Sequence, residues 1–142
     1  MKRDHNGLEV LHREQCLALL TDASVARIGL SVNGVPVVLP VFVALHRGEV
    51  VFCSSEGTKL DAALQHATVA IEADAYDPTE RTGWSVVVKG QVHAIVDPTE
   101  IERVAKLGLP TWTHDQPNRY LAISTDLISG RRLPDHNVDA IE

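Results

Sequence analysis

The sequence predicts a mainly β chain, a small closed barrel of about six strands with peripheral helices. Three observations predict it. Alternating apolar and polar residues recur over 25–32, 68–74 and 84–96, and a period of two marks a half-buried strand. These runs are joined by short turns or interrupted by short helices, without the repeating βαβ order that a doubly wound sheet requires. Several short strands also leave edges that closure into a barrel removes. The chain has 142 residues, one domain's worth. A single domain over 1–142 is therefore expected, with 134–142 a frayed acidic tail.

The elements follow in order. Leu8, Leu11, Cys16, Leu19 and Leu20 recur at helical spacing and predict an opening amphipathic helix that ends near 22–24. Residues 25–32 read as a strand, and Asn33-Gly34 is a strong hairpin signal, because a type I′ turn needs two residues that tolerate positive φ. The partner strand is expected over 35–45, apolar on both faces, and residues 46–49 reverse the chain into 50–54, making a meander. Thr58 precedes Asp61 at capping-box spacing, so a short helix follows, with Leu60, Ala63 and Leu64 as its inner face. Val69, Ile71 and Ala73 share one side of the strand at 68–74, and Asp77-Pro78 and Gly83 frame a polar loop.

Residues 84–96 read as one long strand with Trp84, Val86, Val88, Val92, Ala94 and Val96 on a common face, and Gly90 suggests a bulge or barrel corner. Asp97 and Pro98 suit the cap and first position of a third helix. A final strand is expected over 119–125, with 127–133 continuing or extending it.

Thirteen basic against 19 acidic residues give a net charge of −6. A nucleic-acid binder needs a basic face, and no Lys/Arg run overrides that balance, so nucleic acid is not an expected partner. No segment approaches the roughly 20 apolar residues that span a bilayer, so no membrane association is expected. Cys16 and Cys53 lie far apart, and residues 1–5 lead into a polar stretch without the apolar core of a signal peptide. Two free thiols in a reducing, cytoplasmic compartment are expected.

Three places could carry chemistry. Pro36 and Pro40 lie four apart in a strand-like run that includes Leu39, Val41 and Phe42. Proline cannot donate to a ladder, so this run is either a plain edge strand or a break whose free backbone groups could meet the polar edge of a flat heterocycle. The strand at 50–54, with Phe52, Cys53 and Ser54, leads through Ser55-Glu56-Gly57 to a helix that starts at Thr58-Lys59. A helix N-terminus with a hydroxyl and an ammonium suits a phosphate monoester, although an ordinary capped helix reads the same way. The GxxxxGK[ST] order of a P-loop is missing. Finally, Trp84 and Ser85 open the long strand after a flexible loop, where Trp84 could cap the core or wall a site, and Trp112 stands on a Pro-flanked loop. His12 and Cys16 are four apart on the opening helix, but no third ligand is near, so no metal is expected. No G-x-S-x-G element occurs, and Cys53 has no evident His base, which leaves hydrolase chemistry without an anchor.

Taken in order, Ala26-Arg27-Ile28-Gly29, Pro36-x-x-x-Pro40-Val41-Phe42, Gly57-Thr58-Lys59, Asp74 with Asp77, Gly83-Trp84-Ser85-Val86 and Ile128-Ser129-Gly130-Arg131-Arg132 resemble the pyridoxamine 5′-phosphate oxidase-like family of FMN-binding split barrels. The resemblance covers about 11–133. It implies a Greek-key split β-barrel that dimerises, with two FMN sites at the interface, and an oxidoreductase acting on a small organic substrate. By the resemblance, Leu39, Pro40, Val41, Phe42, Phe52, Cys53 and Ser54 flank the isoalloxazine and ribityl chain. Thr58 and Lys59 hold the phosphate, while Trp84, Ser85 and Trp112 approach from the partner. The flavin carries the electron chemistry, so no general acid or base is named.

The chain departs from the vitamin B6 oxidases, because it ends in Arg131-Arg132-Leu133-Pro134 and an acidic tail without their Arg-x-His-like element. The resemblance therefore does not extend to pyridoxamine phosphate as substrate. Relatives of this size include deazaflavin-dependent reductases and haem-handling proteins, and a flavin-binding or interaction module without turnover is the reading from a different class.

Overall fold

The computed structural model describes residues 2–55, 57–110 and 119–134. Its elements are β1 (Glu9–Leu11), α1 (Arg13–Asp22), β2 (Val25–Val32), β3 (Val35–Phe42), β4 (Ala44–His46), β5 (Glu49–Ser54), α2 (Lys59–Leu64), β6 (Thr68–Asp77), β7 (Thr82–Gln91), β8 (His93–Ala94), α3 (Pro98–Ala105), β9 (Arg119–Ser124) and β10 (Leu127–Arg132). They form two antiparallel sheets, one ordered β1-β10-β7-β6-β2-β3 and the other β4-β5-β9-β8. Ile28, Ile71 and Val88 from the first sheet and Phe52, Leu121 and Ile123 from the second fill a common core. A smaller cluster of Val51, Ala122 and Val104 lies under α3.

The chain passes between the sheets through α2, which joins β5 to β6, and directly at three corners, each held by a defined contact. Val43 separates β3 from β4 and donates its N–H to the Ser24 carbonyl at 3.0 Å. Val92 separates β7 from β8 and donates to Ala67 at 2.8 Å. Thr125, fully buried, separates β9 from β10; its hydroxyl donates to the Gly48 carbonyl at 2.7 Å and accepts from Arg13 Nη2 at 2.9 Å. Buried backbone polar groups require partners wherever a ladder stops, and these contacts supply them.

Several expected elements divide at these corners. The strand expected over 35–45 is two, β3 and β4, in different sheets, and the strand expected over 84–96 breaks at Val92 rather than at Gly90. Residues 127–133 do not continue β9; β10 returns along β7 in the other sheet. Period-two patterning survives such a corner, because the buried residue continues the alternation, and so the pattern does not reveal it.

The opening helix is shorter than expected. Glu9–Leu11 pairs with β10, and α1 begins only after His12, whose N–H donates to Gln15 Oε1 at 3.0 Å. Leu8 and Leu11 therefore belong to the sheet side of the boundary. β3 is an edge strand, which is where two prolines can sit. It is not buried on both faces: Val35 and Val38 are 60% and 69% exposed. Asn33 and Gly34 have φ of 52° and 79°, as the type I′ turn requires. On α2, Leu64 is buried while Leu60 is exposed.

Candidate functional site

β3 runs beside β5 at the Val43 corner, and β5 leads directly to the loop before α2. Asp61 organises that loop from below. Its carboxylate, 6% exposed, accepts from the Ser54 hydroxyl, from Gly57 N–H at 3.4 Å, from Gln65 Nε2 at 3.4 Å and from Arg119 Nε at 3.1 and 3.3 Å. Burial pushes the Asp61 carboxyl up, but the Ser54 hydroxyl, the Gly57 N–H and the Arg119 guanidinium outweigh it and hold it below the usual carboxylate range. The capping box is thus half formed. Thr58 Oγ1 accepts from Asp61 N–H at 3.0 Å, but Asp61 turns inward instead of reaching back.

The Thr58 hydroxyl also donates to the Ser55 carbonyl at 2.9 Å, so both its donor and an acceptor position are occupied. Lys59 is different: it is exposed and has no ion-pair partner among the described residues. Space is open beside it, since a Cβ on Gly57 (φ +86°) would meet nothing within 4 Å. The corner therefore offers an exposed cation, the first-turn N–H groups of a helix and the edge of β3, above a loop fixed by a paired carboxylate.

The sequence-predicted residues divide by face. Pro40 pairs with Arg27 and Phe42 with Val25 on the outer face of the first sheet, while Leu39 and Val41 pack toward the core. Phe52 is fully buried, so its side chain belongs to the core. Ser54 is buried against Asp61. Cys53 is half-buried opposite Tyr120, and burial pushes its thiol up to about 11, so it is no thiolate near neutrality. Trp84 packs partly buried against the core, and Ser85 faces outward opposite Asp74. Trp112 lies outside the described residues.

Within one chain these groups do not all converge. Trp84 and Ser85 are on β7, separated from β3 by β6 and β2, roughly 14 Å at the usual strand spacing.

Sequence reasoning missed most of the polar framework. Arg119 is 58 residues from Asp61, and no local pattern links them. On the outer face, Arg27 lies 3.5 Å from Glu72 and 3.3 Å from Asp74. Burial and the neighbouring Asp74 push the Glu72 carboxyl up to about 7 against the pull of Arg27. A cleft of about 360 Å³ opens where β6, β7 and β10 end, walled by Tyr76, Trp84, Ser85, Arg131 and Arg132. The i, i+2 placement of Asp74 and Tyr76 on one strand face was the available signal. No helix among the described residues is long and apolar enough to cross a membrane.

The sequence profile described as pyridoxamine 5′-phosphate oxidase matches residues 12–132. An uncharacterized Mycobacterium tuberculosis protein, Rv0080, is 30% identical over 128 residues, covering 87% of this chain and 84% of its own. An FAD-binding protein from Mycobacterium smegmatis superposes with a TM-score of 0.75 at 28% identity, covering 87% of this chain and 97% of that one. An FAD-binding protein from Mesorhizobium loti superposes with a TM-score of 0.71 at 21% identity, covering 89% of this chain and 99% of that one; at that identity it bears on the fold alone. With its split β-barrel and a match that spans nearly all its elements, the chain belongs to the pyridoxamine 5′-phosphate oxidase family.

Proposed function

We propose that the protein is a flavin-binding oxidoreductase that acts on a small organic substrate as a cytoplasmic homodimer, with FMN as its cofactor. The observation that carries this reading is the corner beside α2, where the exposed Lys59, without an ion-pair partner among the described residues, and the open space at Gly57 stand next to the β3 edge. These residues fit a flavin phosphate: Lys59 supplies charge, the first turn of α2 supplies N–H donors, and the apolar β3 edge suits a flat ring. The Thr58 hydroxyl keeps the loop in place rather than binding the guest, since its hydrogen bonds lie within the chain. A bound flavin supplies the hydride and electron transfer, and the chain's own task is to bind, orient and shield it.

The homodimer is supported by two features. Trp84 and Ser85 reach a β3-side flavin only from a second copy, and the exposed Val35 and Val38 leave an apolar edge uncovered. The M. smegmatis relative, described as FAD-binding, favours FAD as a second reading, and identification of the cofactor released by denaturation decides between the two. A deazaflavin with a long anionic tail needs cations beyond Lys59.

The test is a titration with FMN, FAD and riboflavin of the wild type and of Lys59→Glu. The charge swap should weaken FMN by about tenfold or more and leave riboflavin nearly unchanged. Equal losses for both would remove Lys59 from the phosphate site. A flavin-binding module without turnover is distinguished by the absence of any substrate oxidised faster than by free flavin.

A further inference from the structure

The outer face of the first sheet leaves apolar residues in solvent, with Val25, Val38 and Leu127 all exposed. The strand register sets its rows. Pro40, Arg27, Glu72 and Val87 lie side by side across β3, β2, β6 and β7, and Val38, Gly29, Ala70 and Lys89 form the next row. The open edge of β3 is blunted. A proline in a strand paired along its whole length turns its nitrogen to the free side, so Pro36 and Pro40 remove two donors from that edge. Strand addition there is disfavoured, and a second copy meets this sheet across its face.

One cation and two carboxylates stand on that face. Glu72 and Asp74 are two apart on β6 and so point the same way, and Arg27 Nη1 reaches both, at 3.5 and 3.3 Å. The remaining charged groups on the face do not neutralise Glu72. Lys89, one row along β7, makes no ion pair among the described residues. Arg131, beside Ser85 on β10, is taken up by Asp4 at 3.1 Å. Val87 and Ser85, opposite Glu72 and Asp74 on β7, bring no charge, nor does Pro40 beside Arg27. One guanidinium offsets one carboxylate, so the trio is neutral only while the other carboxyl keeps a proton. Burial, with the hydrogen bond and charge of Asp74, pushes Glu72 up to about 7 against the pull of Arg27, which puts the loss of that proton near neutrality. Covering the face removes water from the trio. A neutral carboxyl is buried at far lower cost than a carboxylate, so the covered state holds the proton more tightly than the open one.

We infer that the association of two copies is proton-linked: Glu72 holds a proton, shared with Asp74 beside Arg27, while the outer faces are in contact, and losing it to solvent drives the copies apart. This rests on the homodimer reading above and adds the group that regulates it. Because the covered state holds the proton more tightly, the dimer is at its most stable below about pH 7 and weakens as pH rises through that value. Sedimentation equilibrium of the purified wild type, Glu72→Gln and Asp74→Asn at about pH 6 and about pH 8.5 tests it. The wild-type dimer dissociation constant should rise by about tenfold or more between the two, with a proton lost from each copy. Glu72→Gln is neutral at both values and should lose most of that rise. Asp74→Asn leaves Arg27 to offset Glu72 alone and should flatten it as well. Dilution calorimetry at about pH 7.5, in two buffers of different ionisation enthalpy, should show protons released as the wild-type dimer dissociates and fewer from Glu72→Gln. A wild-type dimer equally tight at both pH values, or a rise that Glu72→Gln retains in full, would overturn the inference and leave the homodimer reading standing. Protein that is monomeric at both pH values would refute the homodimer reading and the proton linkage together.

Discussion

Arg119 Nε sits 3.1 and 3.3 Å from the two carboxylate oxygens of Asp61, joining the start of β9 to the first turn of α2. The pair lies directly beneath the loop that carries Gly57 and Lys59, so the corner's shape depends on a contact between segments distant in sequence. The cation takes up the Asp61 charge, and Lys59 is left at the surface without an ion-pair partner among the described residues.

Asp61→Asn should destabilise the protein by about 2–4 kcal/mol, because it removes one member of a nearly buried ion pair and leaves Arg119 and Ser54 with a weaker acceptor. The Asp61 carboxyl is held below its usual range in the folded state, so its contribution is present above the unfolded-state value near 4 and is lost as pH falls through the folded one. Urea unfolding of the wild type should weaken on acidification below about pH 4, with a smaller decline in Asp61→Asn. Parallel pH profiles would dissociate the pair from acid stability.

Glu72 predicts the opposite pH dependence. Its carboxyl is pushed up to about 7 by burial and by Asp74, so the folded state holds a proton that the unfolded state releases near 4.3. Stability associated with this group is lost as pH rises from there to about 7. Glu72→Gln should therefore raise the Tm at pH 8 and change it little at pH 4. A gain of the same size at both values would contradict the assignment.

Gly130 allows β10 to approach α1. A Cβ there would lie 2.7 Å from Cys16 Sγ, 3.1 Å from Leu11 Cδ1 and 3.2 Å from the Ser85 carbonyl. Gly130→Ala should cost about 1–3 kcal/mol by overpacking, read as a lower urea midpoint with an unchanged slope. Cys16→Ala in the same chain should recover part of it, and the carbonyl contact limits the recovery.

The sequence made most of the fold legible and little of the polar framework. Val69, Ile71 and Ala73 announced β6 because alternation is a direct consequence of burial on one face. Asn33-Gly34 announced its hairpin because few residues tolerate that backbone. The corners at Val43 and Val92 were hidden because a buried valine continues the alternation across them. Pro40, Lys59, Trp84 and Ser85 were legible as special through residue type. Arg119 with Asp61, and Arg131 with Asp4, join positions 58 and 127 residues apart, and single-sequence patterning carries no signal for such pairs.

The homodimer reading places the outer face of β3 against a second copy. Val38 is 69% exposed there, so Val38→Asp should leave the Tm of the monomer nearly unchanged while shifting gel filtration toward monomer mass and weakening flavin binding in step. A variant that stays dimeric with full flavin affinity would move the interface elsewhere.

The most direct test is the absorbance spectrum of concentrated, freshly purified protein, taken before and after addition of FMN or FAD and followed through gel filtration. Flavin bands that co-elute with protein at dimer mass, and bleach reversibly with reductant, are the predicted result. Colourless protein that lets both FMN and FAD pass through the column would contradict the flavin function while leaving the split barrel in place.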